Sequence, residues 1–329
     1  MVQPRDLVLN VCCFFVRRPA WRRIVKHYIW QLFNLVAFHR LQREQRTCNN
    51  ISGLLQKYLL THDRAILLQK LKNDLDMESC RLVELYLQRH ESSTWHYLPG
   101  ELLEWRRNQR QIIPFLFPVT SPVIHDVFDY HNGLKFVPAF VKDQIATGSV
   151  IDGGAAAGDS ALMFTEYHPV NIYAFEPSPL SGAEIEEAVA LNNIPVGLID
   201  LVPFGIGDKK ERVSIKDQHH RSFDIETITI DEFAKNIHVS CIKLDIEGME
   251  SSAINGAKLT ICRDRPVLLI SIYHTPEDFF EIKPVVESWK LGYRFAIRNT
   301  EVCNGLAGVH AMLIGWCEGK NTARGGLAS

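Results

Sequence analysis

Residues 150–162 read VIDGGAAAGDSAL, and the fold turns on how this stretch is taken. An apolar lead-in ends in an acid, Asp152, and two adjacent glycines, Gly153 and Gly154, follow it. Three alanines beginning at Ala155, then Gly158, Asp159 and Ser160, open a helical pattern. A glycine-rich turn between a strand and a helix implies a parallel α/β sheet with a ligand at the carboxyl ends of its strands.

Working outward, apolar runs and helix-length segments alternate. The expected strands are 149–152, 171–176, 197–204, 238–245 and 265–274, with helices near 158–168, 180–192, 249–260 and 278–290. Continuous apolar strands alternating with helices indicate a mostly parallel sheet covered on both faces. Two last strands, 293–299 and 309–316, have no helix between them and are expected to form an antiparallel hairpin at one edge.

Before this lies a helical region. Leu67, Leu68, Leu71, Leu75, Leu82, Val83 and Leu87 recur at three- and four-residue spacing, and Asp76 with Ser79 marks the start of a helix. Trp95, Trp105, Pro114, Pro118 and Pro122 mark a transition. The chain divides into a helical region over 1–118, a catalytic α/β domain over 119–318 and a disordered tail over 319–329. The helical region is expected to cover one edge of the catalytic domain, to shape an acceptor pocket or to mediate oligomerisation.

Composition narrows the classes. The 329 residues are 46% hydrophobic and 22% charged with net charge −2, which excludes disordered, collagenous and repeat proteins. The charge is unevenly spread: through Arg46 nine Lys/Arg face Asp6 and Glu44, a local +7, and the rest of the chain is −9. An acidic catalytic region speaks against a nucleic-acid substrate. Eight scattered cysteines without a C-x-x-C pair suggest neither a zinc cluster nor a thioredoxin-type site, and fit a reduced, cytoplasmic protein. Residues 7–16 are too short and wrongly flanked for a signal peptide, and 24–38, which contain Lys26 and His27, are too short to span a membrane. A basic, aromatic helix here could lie on the inner membrane face or pack on its own protein.

The strand ends carry the chemistry. Asp152 ends the first strand, and Glu176 ends the second, 24 residues on, where a carboxylate accepts from a ribose diol. Asp245 ends the fourth, followed by Glu247 and Glu250; Tyr273 and His274 end the fifth. No lysine or hydroxyl of a triphosphate loop follows the glycines, and the spacing is not G-x-G-x-x-G. Acids at the turn would repel phosphates and welcome an ammonium, a sugar and a sulfonium, which together describe S-adenosylmethionine.

VIDGGAAAGDSAL, IYAFEPSP (172–179), TITIDEF (227–233), CIKLDIEGMESSAINGA (241–257) and RPVLLISIYHTPEDFFEI (265–282) resemble the FkbM family of S-adenosylmethionine-dependent methyltransferases over about residues 120–316. The resemblance implies a class I, Rossmann-like methyltransferase sheet and O-methylation of a hydroxyl, often on a sugar or natural product. Many relatives carry a glutamate in the fifth strand where Ser271 stands, and often Glu-Thr near Val309-His310-Ala311.

The cofactor residues are expected to be Asp152, Gly153, Gly154, Ala155, Gly158, Asp159, Ser160, Glu176, Pro177 and Ser178. The expected catalytic residues are Asp245, His274 and Glu247, with Asp245 and His274 the candidates for general base and acceptor orientation. Lys243 could steady a carboxylate or pack along its stem. Asp245, Glu247 and Glu250 could gather a divalent metal, although none is expected. The competing readings are a non-catalytic adaptor that keeps the fold and an NAD-dependent oxidoreductase.

Overall fold

The computed structural model describes residues 38–91, 114–118, 125–216, 222–300 and 310–318. Seven strands form the central sheet: β1 (Ser149–Gly153), β2 (Ile172–Phe175), β3 (Ile199–Val202), β7 (Val239–Leu244), β8 (Val267–Ser271), β9 (Tyr293–Asn299) and β10 (Ala311–Cys317). Their spatial order is β3-β2-β1-β7-β8-β10-β9. From β3 to β8 all pairings are parallel, and β10 runs against both β8 and β9. The last two strands thus pair as expected, but β10 inserts beside β8 and leaves β9 at the edge.

The crossover from β3 to β7 holds what the helix–strand alternation does not announce. A second sheet of β4 (Gly205–Ile206), β5 (Glu211–Lys216) and β6 (Ser222–Ile228) runs in the order β4-β6-β5, with β5 and β6 antiparallel.

Both faces of the main sheet are covered. On one, Val150, Ile172, Ala174, Cys241, Val267, Leu269 and Ile314 form a core with Leu162, Phe164 and Ile185. Those last three sit on α6 (Asp159–Phe164) and α7 (Pro179–Leu191). Alternate strand residues supply the opposite face, because successive side chains point to opposite sides. There Ile242, Leu244, Leu268 and Ile270 meet α9 (Glu250–Asn255), α10 (Lys258–Asp264) and α11 (Pro276–Ser288). The expected helix over 249–260 is therefore two helices. They part at Gly256, where a Cβ would lie 2.1 Å from the Gly207 carbonyl.

Three N-terminal helices join that second core: α1 (Phe38–Thr61), α2 (Arg64–Lys72) and α3 (Met77–Glu91). The Tyr58 hydroxyl donates to Glu281 on α11 at 2.6 Å, and Tyr86 stacks on Phe279 at 4.0 Å. Asp76 caps α3 by accepting from the Ser79 amide at 2.7 Å, as its sequence position predicts. Ser79 in turn closes the free edge of β9: its hydroxyl accepts from the Ile297 amide at 2.9 Å. Arg298 locks the junction through Asp76 at 2.7 Å. An exposed strand edge is an aggregation hazard, and this helix covers it. Among the described residues no helix is long and apolar enough to cross a membrane. The basic segment before residue 38, Trp95, Trp105, Pro122 and the tail over 319–329 lie outside the described residues.

Candidate active site

The carboxyl ends of β1, β2, β7 and β8 converge, and the turn after β1 forms one wall. Its backbone is left-handed at every second residue: Gly154 (φ +74°), Ala156 (φ +46°) and Gly158 (φ +83°). Gly154 is demanded by contact as well, since a Cβ there would stand 2.0 Å from the Asp245 carbonyl. The donors of this turn are largely spent internally. Gly154 and Ala155 amides both donate to the Phe175 carbonyl at 3.0 and 3.1 Å, and Gly158 donates to Ala155 at 2.7 Å. The Ala156 amide donates to Glu176 at 3.0 Å. A phosphate-binding nest offers several unspent amides, and these four are already engaged.

Glu176 grips the turn with one oxygen and the Ser178 amide with the other, at 2.8 Å. Burial pushes its carboxyl above the usual range, against the pull of those two amides. Each oxygen retains a lone pair, so a half-buried acceptor is held at fixed orientation beside exposed Ala156. Ser178 also caps α7, accepting from the Ser181 amide, with Pro179 at the first helical position. Pro177 is the half-buried link between Glu176 and this cap.

Asp152 stands apart from these. It is fully buried beneath the turn, where Ser160 donates to it at 2.6 Å and Lys243 stands 3.2 Å away. It shapes the wall from behind. Asp159, also buried, takes the Ser160 amide at 2.8 Å. The residues expected around the cofactor thus fall into two layers. Gly154, Glu176, Pro177 and Ser178 make the surface turn and its brace, and Asp152, Gly153, Ala155, Gly158, Asp159 and Ser160 are its buried support.

The opposite wall begins at Asp245, whose side chain is 32% exposed. The next residues turn sharply, with Glu247 (φ +59°) and Gly248 (φ +101°) both left-handed, so Glu247 precedes α9 rather than starting it. Glu250 closes this turn from inside: its two oxygens accept from the Ile246 amide at 2.7 Å and the Gly248 amide at 2.9 Å. Strained backbone held this firmly is characteristic of functional sites.

His274 lies between. Its Nδ1 is 2.9 Å from the buried Glu250 carboxylate, and its Nε2 is 3.5 Å from Asp245 and 3.9 Å from Glu247. Burial alone would lower its pKa, but Glu250 first, then Asp245 and Glu247, outweigh that and raise it to about 9. His274 is thus an imidazolium at neutral pH, which makes it a donor rather than a base. Asp245 responds in kind. Burial pushes its carboxyl up, but the charges of His274, Lys243 and His310 and a hydrogen bond from Ser271 hold it below the usual range. The Tyr273 hydroxyl donates to the same carboxylate at 3.3 Å, and the Tyr273 ring stands 4.1 Å from His274 and 4.4 Å from His310.

Asp245 and His274, paired in the sequence reading, are therefore brought together, with Glu247 exposed at the rim. Glu250 is the residue that reading undervalued. Its helix-start position suggests a dipole partner, but its burial makes it the counter-ion of His274. The acid two residues beyond Gly248 was the available signal. Ligand atoms of Asp245, Glu250 and His274 lie within 4.8 Å of one another and could hold a metal, although Glu250 is already engaged by two amides and the histidine.

A family model for the methyltransferase FkbM domain matches residues 152–295. Comparison with curated proteins finds no match. Among solved structures, the methyltransferase FkbM from Methylobacillus flagellatus KT is 19% identical, with TM-score 0.45, over 66% of this chain and 59% of that one. The chain thus spans about three-fifths of that protein's length. An rRNA methylase from Streptococcus thermophilus is 11% identical over 54% of this chain and 95% of its own, with TM-score 0.35. Aeropyrum pernix fibrillarin, in complex with S-adenosyl-L-methionine, is 14% identical over 57% and 74%, with TM-score 0.36. The family-model match begins in β1 at Asp152 and ends in β9, taking in both walls of the site: over residues 152–295 the chain is similar to the methyltransferase FkbM domain.

Proposed function

We propose that this chain is an S-adenosylmethionine-dependent O-methyltransferase acting on a hydroxyl of a sugar, glycan or natural-product acceptor. The observation that carries it is the Asp245–His274 pair facing a turn whose amides are spent and whose outer acceptor is Glu176. Such a turn suits a diol and a cation and gives a pyrophosphate little to bind. S-adenosylmethionine, when bound, would supply a sulfonium methyl carbon for an acceptor oxygen to attack, the O–C bond forming as the C–S electron pair leaves with the thioether sulfur.

The chain's own residues would position the acceptor and remove its proton. The His274 Nε2–H would donate to the acceptor oxygen and orient a lone pair. Asp245 would accept the hydroxyl proton. A carboxylate of depressed pKa is a weak base, but positive charge develops on the attacking oxygen, so its proton becomes acidic as the bond forms. The anion of Asp245 also stabilises that charge. Absence of an Asn/Asp-Pro-Pro-Tyr/Phe tetrapeptide after β7, where Asp245-Ile246-Glu247-Gly248 stands, favours oxygen over nitrogen as acceptor atom.

Calorimetric titration of the full chain with S-adenosylmethionine and with NAD tests the reading. Binding of the first alone is expected; binding of NAD alone would establish the oxidoreductase, and binding of neither the adaptor. Mass spectrometry of cellular glycans with and without the protein should then show a difference of one methylene in one sugar. Turnover should survive exhaustive chelation, because Glu250 is already engaged by two amides and His274. A membrane-borne acceptor would suit the +7 N-terminal segment, which a pulldown with anionic liposomes would reveal.

A further inference from the structure

Lys243 lies on β7 two residues before Asp245 and is only 4% exposed. Its ammonium donates to the Gly154 carbonyl at 2.8 Å and the Gly153 carbonyl at 3.1 Å, and it stands 3.2 Å from Asp152 Oδ1. Two carbonyls thus take hydrogen bonds from one cation, and the Asp152 carboxylate is its counter-ion. A strand lysine that serves only to pack sends its ammonium to water. This one does the reverse, and an ammonium taken out of water is tolerated only when paired and fully hydrogen-bonded.

The oxygens it gathers belong to the turn that forms one wall of the site. With Gly154, Ala156 and Gly158 left-handed, that turn is not a conformation the chain would hold unaided. Glu176 braces it from the outer side through Ala156, and Lys243 braces it from beneath through both glycine carbonyls. The same ammonium neutralises Asp152, which positions Ser160 at the start of α6. We infer that Lys243 is a positioning residue for the cofactor: from the acceptor-side strand, its ammonium holds the Gly153–Gly154 turn and Asp152 in the conformation that binds S-adenosylmethionine. This rests on the methyltransferase reading above.

The test is calorimetric titration of the full chain with S-adenosylmethionine and S-adenosylhomocysteine, alongside circular dichroism to confirm folding. Lys243→Met keeps the stem and removes the charge, and should weaken both ligands by about tenfold or more, the scale of one or two charge-assisted hydrogen bonds. It also strands the buried Asp152 carboxylate. Adding Asp152→Asn to Lys243→Met should therefore recover part of the lost affinity, which loss of packing alone would not allow. Where the Met variant does not fold, Lys243→Gln, with one amide donor, should bind at an intermediate level. Folded variants within twofold of the parent would overturn the inference, as would a double variant no tighter than Lys243→Met. If the parent binds neither ligand, the methyltransferase reading itself fails, and that outcome is distinct from the others.

Discussion

Asp245 and His274 illustrate how neighbours assign roles to residues of similar type. Either could be named as a base from its place at a strand end. The buried Glu250 makes the difference, because it holds His274 charged and leaves Asp245 as the proton acceptor. Asp245→Asn should therefore lower turnover by roughly 10²- to 10⁴-fold, with affinity for S-adenosylmethionine changed only severalfold. Single-turnover kinetics beside calorimetry would show this, and near-parental turnover would refute the assignment. His274 also predicts a pH dependence of stability. Its pKa is raised from 6.5 to about 9 on folding, so between these values the native state binds more protons than the unfolded one. The stabilisation is fully present below about pH 6.5 and lost as pH rises through about 9. It amounts to at most about 3 kcal/mol for this nine-tenths-buried group. Urea midpoints measured across that window should fall with pH in the parent and flatten in His274→Gln.

At the scale of elements, the turn after β1 is fixed by close approach as much as by backbone freedom. Gly154→Ala would place a methyl against the Asp245 carbonyl at a residue with φ +74°, so both walls of the site would shift together. A loss of at least about 2 kcal/mol in unfolding free energy is expected, with weakened cofactor binding. Chemical denaturation would measure the first and calorimetry the second; a stability unchanged within error would show that the turn can relax. This turn was legible because glycine, acid and helix start occupy consecutive positions. So were the central strands β1, β7 and β8, whose apolar runs are buried on both faces and leave no polar alternation to confuse them. The β5–β6 pair was not. Its strands read Glu211-Arg212-Val213-Ser214 and Asp224-Ile225-Glu226-Thr227, and such polar segments gain their pairing from each other rather than from the core. Gly256 was equally silent, since the reason for the break between α9 and α10 is the Gly207 backbone, distant in sequence. The role of Asp152 was hidden for a similar cause: only the fold shows that Lys243 and Ser160 meet it beneath the turn.

Across the whole molecule, the N-terminal helices are not an appendage. Leu55, Leu71, Val83 and Leu87 are in one continuous cluster with Ile242, Ile270 and Ile297 of the sheet and Phe279 and Phe280 of α11. Polar ties reinforce it: the buried Lys283 of α11 donates to the Asn73 carbonyl after α2 at 2.7 Å and to Glu287 at 2.6 Å. Tyr86 reaches further, its hydroxyl 3.5 Å from the carbonyl of Tyr273, the residue whose own hydroxyl touches Asp245. Helical layer, edge strand and site therefore share one core, and cooperative unfolding follows from that continuity. Leu71→Ala, at a fully buried position on α2, should cost about 2–5 kcal/mol through lost contact and the cavity left behind. Because the cluster is shared, the loss should lower the temperature of one calorimetric transition for helices and sheet together. Two separated transitions, with the sheet melting at its parental temperature, would show instead that the helices unfold on their own and that their contacts contribute nothing to the stability of the site.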